Sequence, residues 1–277
     1  MPEKISIVQI GGSIDRALKG DYKIDVKATL TEAWQLTLKS RVAINLGLLF
    51  SLLLGMLVSF VISNYLGGIE AVLADRQASM LVNVVVTIAV WPFIAGVEMM
   101  GVLHAVGMKS HVKMTFGFLN RASWIVLCAL FTSLLTSIGF QLFVLPGLFL
   151  AITLSLTIPL VIEKKMMPIK AVVVSIQALR FQILPLFLLH FILLMSLVML
   201  LFPFALLIET SVAPLGILCF LFGFTYLAPL FYNVKGILYR EIFGVSIATD
   251  KAIDELERTT NTSVSKSGSD PDDTFTA

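Results

Sequence analysis

An all-α, polytopic membrane helix bundle, with six transmembrane helices and cytoplasmic amphipathic interfacial helices, is the fold class that this sequence predicts. Three observations predict it. The first is a shortage of charge: of 277 residues, 57% are hydrophobic and 14% charged, with mean hydropathy +0.94. A soluble domain carries about 45–50% apolar and about 25% charged residues. The second is the segregation of the charges that exist. No Asp, Glu, Lys or Arg lies between Arg121 and Glu163, between Arg180 and Glu209, or between Glu209 and Lys235. Each run exceeds the roughly 20 residues that carry a helix across hydrocarbon. In lipid the backbone must satisfy its own polar groups, which leaves helices or a closed barrel. Barrel strands alternate apolar and polar residues, whereas residues 50–60 and 191–201 do not. The third is that nearly all cations fall on one side of the bilayer once the spans are drawn.

The first 25 residues contain Lys4, Asp15, Arg16, Lys19 and Asp21 and no apolar core, so a cytoplasmic N-terminal segment without a cleavable secretory signal is expected. Within it, residues 5–10 read as a short strand or a loose segment, and 13–19 as a short helix. The membrane domain covers 26–244, with spans at 42–62, 81–103, 122–145, 147–162, 184–208 and 212–234. Residues 122–162 form one uncharged run, too long for one helix and long enough for two. Pro146-Gly147 lies within it, and the pair reads as a structural turn: proline lacks a donor and glycine tolerates positive φ. The fourth span is then short, about 24 Å at 1.5 Å per residue. A re-entrant hairpin is the competing reading for 122–162.

Six spans place nineteen of the twenty Lys and Arg residues on one side, leaving Arg76 on the other. By the positive-inside rule that side is the cytoplasm, and both termini lie there. Three segments before the odd-numbered spans look amphipathic, at about 26–40, 112–120 and 168–182. Leu30, Ala33, Trp34 and Leu38 mark the first; Phe116 and Leu119 the second; Val172, Val173, Ile176 and Leu179 the third. Such stripes suit helices lying in the membrane interface. The three read either as a repeated unit or as unrelated juxtamembrane helices. Residues 245–277 form a cytoplasmic tail, with a short helix over 249–260 and disorder from about 261, where apolar residues are too few to order the chain.

No P-loop, HExxH, GxSxG or Cys/His cluster occurs, and Cys128 and Cys219 sit in apolar runs as small buried hydrophobes. A non-enzymatic protein with no catalytic residue, cofactor or metal is therefore expected. Glu98 and His190 are the candidate intramembrane polar residues; such groups are functional candidates by default. Glu98 lies near the inner end of its span, within reach of headgroup water or of Lys109, Lys113 or Arg121, so a structural role stands beside a functional one. A neutral His190 bonded within the bundle is the plainer reading of that residue. His104 and His111 read as solvated or headgroup-facing. Gly96 and Gly101, with Ala95, permit close approach of a neighbouring helix. Lys27, Lys113, Lys164, Lys165, Lys170 and Arg180 are candidate lipid-headgroup contacts, since cations near an anionic leaflet gain about 1 kcal/mol each.

The runs Phe143-Val144-Leu145-Pro146-Gly147-Leu148 and Ile158-Pro159-Leu160-Val161-Ile162-Glu163, then Lys170-Ala171 and Ser175, and the ending Leu238-Tyr239-Arg240-Glu241-Ile242-Phe243-Gly244 carry a likeness. This stretch of about 100 residues resembles the YciC-type bacterial inner-membrane proteins and the membrane domain found fused to glycerophosphodiester phosphodiesterases. The resemblance implies a six-span bacterial inner-membrane protein. It carries over no catalytic residue, because the phosphodiesterase chemistry belongs to a separate soluble barrel. The expected role is in membrane lipid or envelope organisation, with a small-solute transporter or permease as the alternative. Membrane lipids are the expected partners, with a membrane-protein partner or homo-oligomer also open and no nucleic acid.

Overall fold

The computed structural model describes residues 7–207, 210 and 213–248. The turn at Glu209, the helix expected over 249–260 and the disorder expected from 261 lie outside the described residues. Among the described residues six helical stretches are long and apolar enough to span a membrane, and the chain is a nearly all-α, multi-pass membrane bundle.

A strand β1 (Ile7–Ile10) opens the described chain, and helix α1 (Ile14–Lys19) follows, capped by the Ser13 hydroxyl. Helix α2 (Val26–Tyr65) joins the first expected interfacial segment to the first span. Asp25 caps it, and Ser40 breaks it with φ −136 and ψ 18, at the boundary the sequence predicts. A short α3 (Ile69–Ala74), absent from the sequence reading, leads through Asp75 into α4 (Arg76–Ala105). Then come α5 (Ala122–Leu142), α6 (Val144–Thr153), α7 (Thr157–Glu163), α8 (Pro168–Leu179), α9 (Ile183–Leu207) and α10 (Ala213–Phe243). Strand β2 (Val245–Ala248) pairs antiparallel with β1, Ile10 opposite Val245.

α4 and α10 form the centre. α2 packs on both, α9 packs on α10, and α5 with α6 and α7 closes the other flank. β1, β2, α1 and α8 gather at one end, called here the basic end; α3 marks the far end. The densest core lies towards the basic end, where Leu160, Leu179, Ile237, Tyr239 and Phe243 are almost wholly buried. α9 buries only Leu186, Leu189 and Leu193, and leaves Leu188, Val198, Met199 and Phe202 bare. An apolar helix that shows most of its surface is suited to lipid, not water.

Five expectations change. The segment 112–120 forms no α-helix: it makes two 3-10 turns, Val112–Phe116 and Leu119–Arg121, separated by Gly117. Its Met114 and Thr115 backbone lies against Gly96 of α4, so it plugs into the bundle. The segment 168–182 is helical, but its apolar face packs on protein through Ala171, Val174, Ser175 and Ala178. The Tyr22 hydroxyl donates to Ala178 O at 2.7 Å and ties the chain before α2 onto this helix; burial pushes its pKa up to about 12.

Pro146-Gly147 is not the reversal. The chain turns at Phe143, which is extended (φ −160, ψ 158), and Pro146 falls in the first turn of α6. A first-turn amide has no intrahelical acceptor, so proline costs nothing there. Gly147 instead lets α6 lie against Phe140 and Gly139. The fourth span is broken between α6 and α7. Ser175 donates from Oγ to Thr153 O and Thr157 from Oγ1 to Leu154 O, so hydroxyls bond carbonyls at the break. Finally, Cys128 is buried as expected, whereas Cys219 faces outward.

Candidate functional site

Two features lie where α2, α4 and α10 meet: a ladder of buried polar contacts near the basic end, and an apolar groove running from it towards the far end.

The ladder exists because α10 continues as one helix past residue 234, carrying Asn233, Lys235 and Tyr239 into the core and leaving Arg240 part-buried at its edge. Backbone approach makes this possible. A Cβ on Gly236 would overlap the Gly101 carbonyl, and a Cβ on Gly101 would overlap that of Tyr232. The expected close approach at Gly96 and Gly101 is thus met, by the 3-10 segment and by α10 respectively.

Glu98 is 3% exposed, and its Oε1 accepts from Lys235 Nζ at 2.5 Å. Its partner is neither Lys109, Lys113 nor Arg121. The Lys235 ammonium also lies 5.7 Å from the Phe231 ring centre. Glu98 Oε2 has no hydrogen-bond partner among the described residues. Six residues further along α4, His104 is 3% exposed, not solvated. A tautomer protonated on Nδ1 donates to Asn233 Oδ1 at 2.9 Å, and Nε2 accepts from Ser110 Oγ at 2.7 Å. Asn233 Nδ2 donates to Thr37 Oγ1, which donates to Ala33 O. Ser40, at the break in α2, sits 3.2 Å from His104 Nδ1. Apart from Glu98 Oε2, the polar side chains of the ladder are bonded to one another or to backbone, which favours one arrangement over its rivals.

Arg240 closes the ladder. Its two terminal nitrogens donate to both oxygens of Glu32 at 2.6 and 2.9 Å, and Nη1 also donates to Ala105 O, which lies at the end of α4. Bidentate guanidinium–carboxylate pairs hold orientation as well as charge. Beside it the Tyr239 hydroxyl donates to Glu163 Oε2 and the Ser246 amide to Glu163 Oε1, locking α7 to α10 and β2. The arrangement fixes four helices, α2, α4, α7 and α10, and the two-stranded ribbon in one geometry. Among the described residues no group of three or more His, Cys, Asp or Glu side chains is placed to hold a metal ion.

The groove has a volume of about 1090 Å³ and lies between α2 and α4, with α10 at one side. Ser51, Gly55, Ser59 and Ser63 recur every four residues along α2 and line it, opposite Val86, Val90 and Ile94 of α4. Small side chains on one face and β-branched ones on the other leave a furrow. Its rims, Leu49, Leu52, Met56 and Phe60 among them, are half bare, so it opens sideways to the bilayer. At its basic end Asn45 Nδ2 donates to Thr225 O at 2.8 Å.

No family model matches this chain, and no match is found among curated proteins or solved structures.

Of the residues singled out from sequence, Glu98 enters the ladder. His190 stands apart, with Nδ1 donating to Leu186 O at 2.8 Å within its own helix. Lys27, Lys113, Lys165, Lys170 and Arg180 are exposed and in no ion pair among the described residues. Lys164 instead bonds Glu163 and Ser246 at 3.2 and 3.3 Å. Sequence reasoning missed Lys235, Asn233 and Arg240, and read the buried His104 as solvated or headgroup-facing. The signal was there: Gly236, Ile237, Tyr239, Ile242 and Phe243 continue the apolar pattern past Lys235, which marks that lysine as inside a helix. It also missed the four-residue recurrence of Gly47, Ser51, Gly55, Ser59 and Ser63.

Proposed function

We propose that this chain is a non-enzymatic, multi-pass protein of a bacterial inner membrane that binds membrane lipid in the α2–α4 groove and serves lipid or envelope organisation. The groove carries the reading. A furrow of this size, walled by apolar and small side chains and open towards hydrocarbon, matches an acyl chain and offers little to a polar solute. The ladder below it supplies rigidity, so the groove keeps its shape. A permease is less well supported, because the charge of Glu98 is already balanced by Lys235. The likeness to YciC-type proteins agrees with the same membrane.

The test is the phospholipid that stays with the protein through purification in mild detergent, measured by mass spectrometry. Ser59→Trp and Val90→Trp, which fill the groove from α2 and from α4, are expected to retain several-fold less than the wild type. Equal retention in variants that remain folded would overturn the reading.

The proposed orientation puts both termini, and with them the basic end, in the cytoplasm, following the cation asymmetry. Reporter fusions after Phe143 and in the α3 region are expected to be active only outside the cytoplasm. A cytoplasmic signal from either point would reverse the assignment.

A further inference from the structure

At the basic end of the groove, one turn before Asn45 on α2, Arg41 lies with its guanidinium carbon 4.0 Å from the centre of the Tyr226 ring. Trp34 stacks on the same ring at 6.1 Å, and Phe222 meets it at 5.3 Å. Tyr226 follows Thr225, whose carbonyl Asn45 holds at the groove wall. Arg41 is half-buried and makes no ion pair among the described residues, unlike Arg240, Lys235 and Lys164. A planar guanidinium with one face on an aromatic ring keeps its in-plane donors free, in a fork that fits phosphate oxygens. Trp and Tyr beside it are the side chains that settle at the headgroup level.

We infer that this mouth binds the phosphate of an anionic phospholipid from the leaflet at the basic end, with one acyl chain laid along the adjoining half of the groove. The inference rests on the lipid-binding reading and adds the headgroup chemistry to it. The dimensions agree. From Asn45 to Gly55 is ten residues of helix, about 15 Å, and one leaflet of a roughly 30 Å hydrocarbon core is about half that thickness. Over that length Leu48, Leu52 and Gly55 of α2 face Ile94 and Val90 of α4, and Phe224 of α10 forms part of the lining. Charge complementarity selects the lipid: an unpaired cation at the mouth favours a headgroup of net negative charge over a zwitterionic one, whose own ammonium would approach Arg41.

The test uses the full chain reconstituted in phosphatidylcholine vesicles containing a trace of either phosphatidylglycerol or phosphatidylcholine with a photoreactive diazirine in its acyl chain. The wild type is expected to be labelled several-fold more by the phosphatidylglycerol probe, with adducts on α2, α4 and α10 around residues 45–55, 90–94 and 221–225. Arg41→Gln is expected to bring that labelling down to the phosphatidylcholine level. Lys39→Gln, an exposed cation two residues away, is expected to leave the ratio unchanged. Equal labelling of the wild type by the two probes, or an undiminished ratio in Arg41→Gln, overturns the headgroup assignment while leaving lipid binding in place. Absence of adducts in the groove from either probe overturns the lipid-binding reading itself.

Discussion

Lys235→Met is expected to destabilise the protein by about 3–5 kcal/mol, the usual cost of removing one partner of a buried ion pair. The substitution leaves the Glu98 carboxylate 3% exposed, with Oε2 already unpartnered and Oε1 newly so. No other cation pairs with it among the described residues. The double variant Glu98→Leu/Lys235→Met removes both charges and fills the space with apolar atoms, and is expected to recover most of the loss. Thermal unfolding in detergent, followed by size-exclusion and set out as a double-mutant cycle, checks this. A single variant as stable as the wild type would show that the pair contributes little to the bundle.

The second large effect is expected at the crossing of α4 and α10. Gly236→Leu and Gly101→Leu each push a side chain into the backbone of the opposing helix, at the Gly101 and Tyr232 carbonyls. Backbone cannot swing aside as a side chain can, so the helices must separate. Separation also pulls Lys235 from Glu98 and Asn233 from His104. A loss of about 3 kcal/mol or more, at the upper end for overpacking, is expected for each. Gly223→Ala gives the contrast: its new methyl would meet only the end of the flexible Leu200 side chain. That variant is expected to lie within about 1 kcal/mol of the wild type. If the three variants melt together, the crossing is not the tight point described.

The spans were legible in the sequence because hydrocarbon imposes one strong rule, that long uncharged runs become helices. Glu98 and the small residues Gly96 and Gly101 were legible for the same reason: each stands out against an apolar background. Their partners were not. Which helix meets which is set by packing between segments far apart in the chain, and a pair such as Glu98 and Lys235 leaves no local trace. Lys235 even counted as a cytoplasmic cation, since a lysine at the end of an apolar run looks like a stop. The segment 112–120 has helical spacing, but Gly117 and contact with Gly96 outweigh a stripe so short. Pro146-Gly147 has two structural uses, and only the neighbouring Phe140 and Gly139 decide between turn and close packing. The groove was least legible of all, since a gap is defined by what two helices fail to fill.

The pairing of β1 with β2 has a consequence for the order of assembly. Its two halves flank every span: Ile7–Ile10 is synthesised before the first, and Val245–Ala248 after the last. The earlier strand must therefore wait, its edge unmatched, until α10 is in place and its sister strand has emerged. Once joined, they act as a clasp on a finished bundle, and a chain stopped short of Val245 would be left with an open catch that a quality-control protease could recognise.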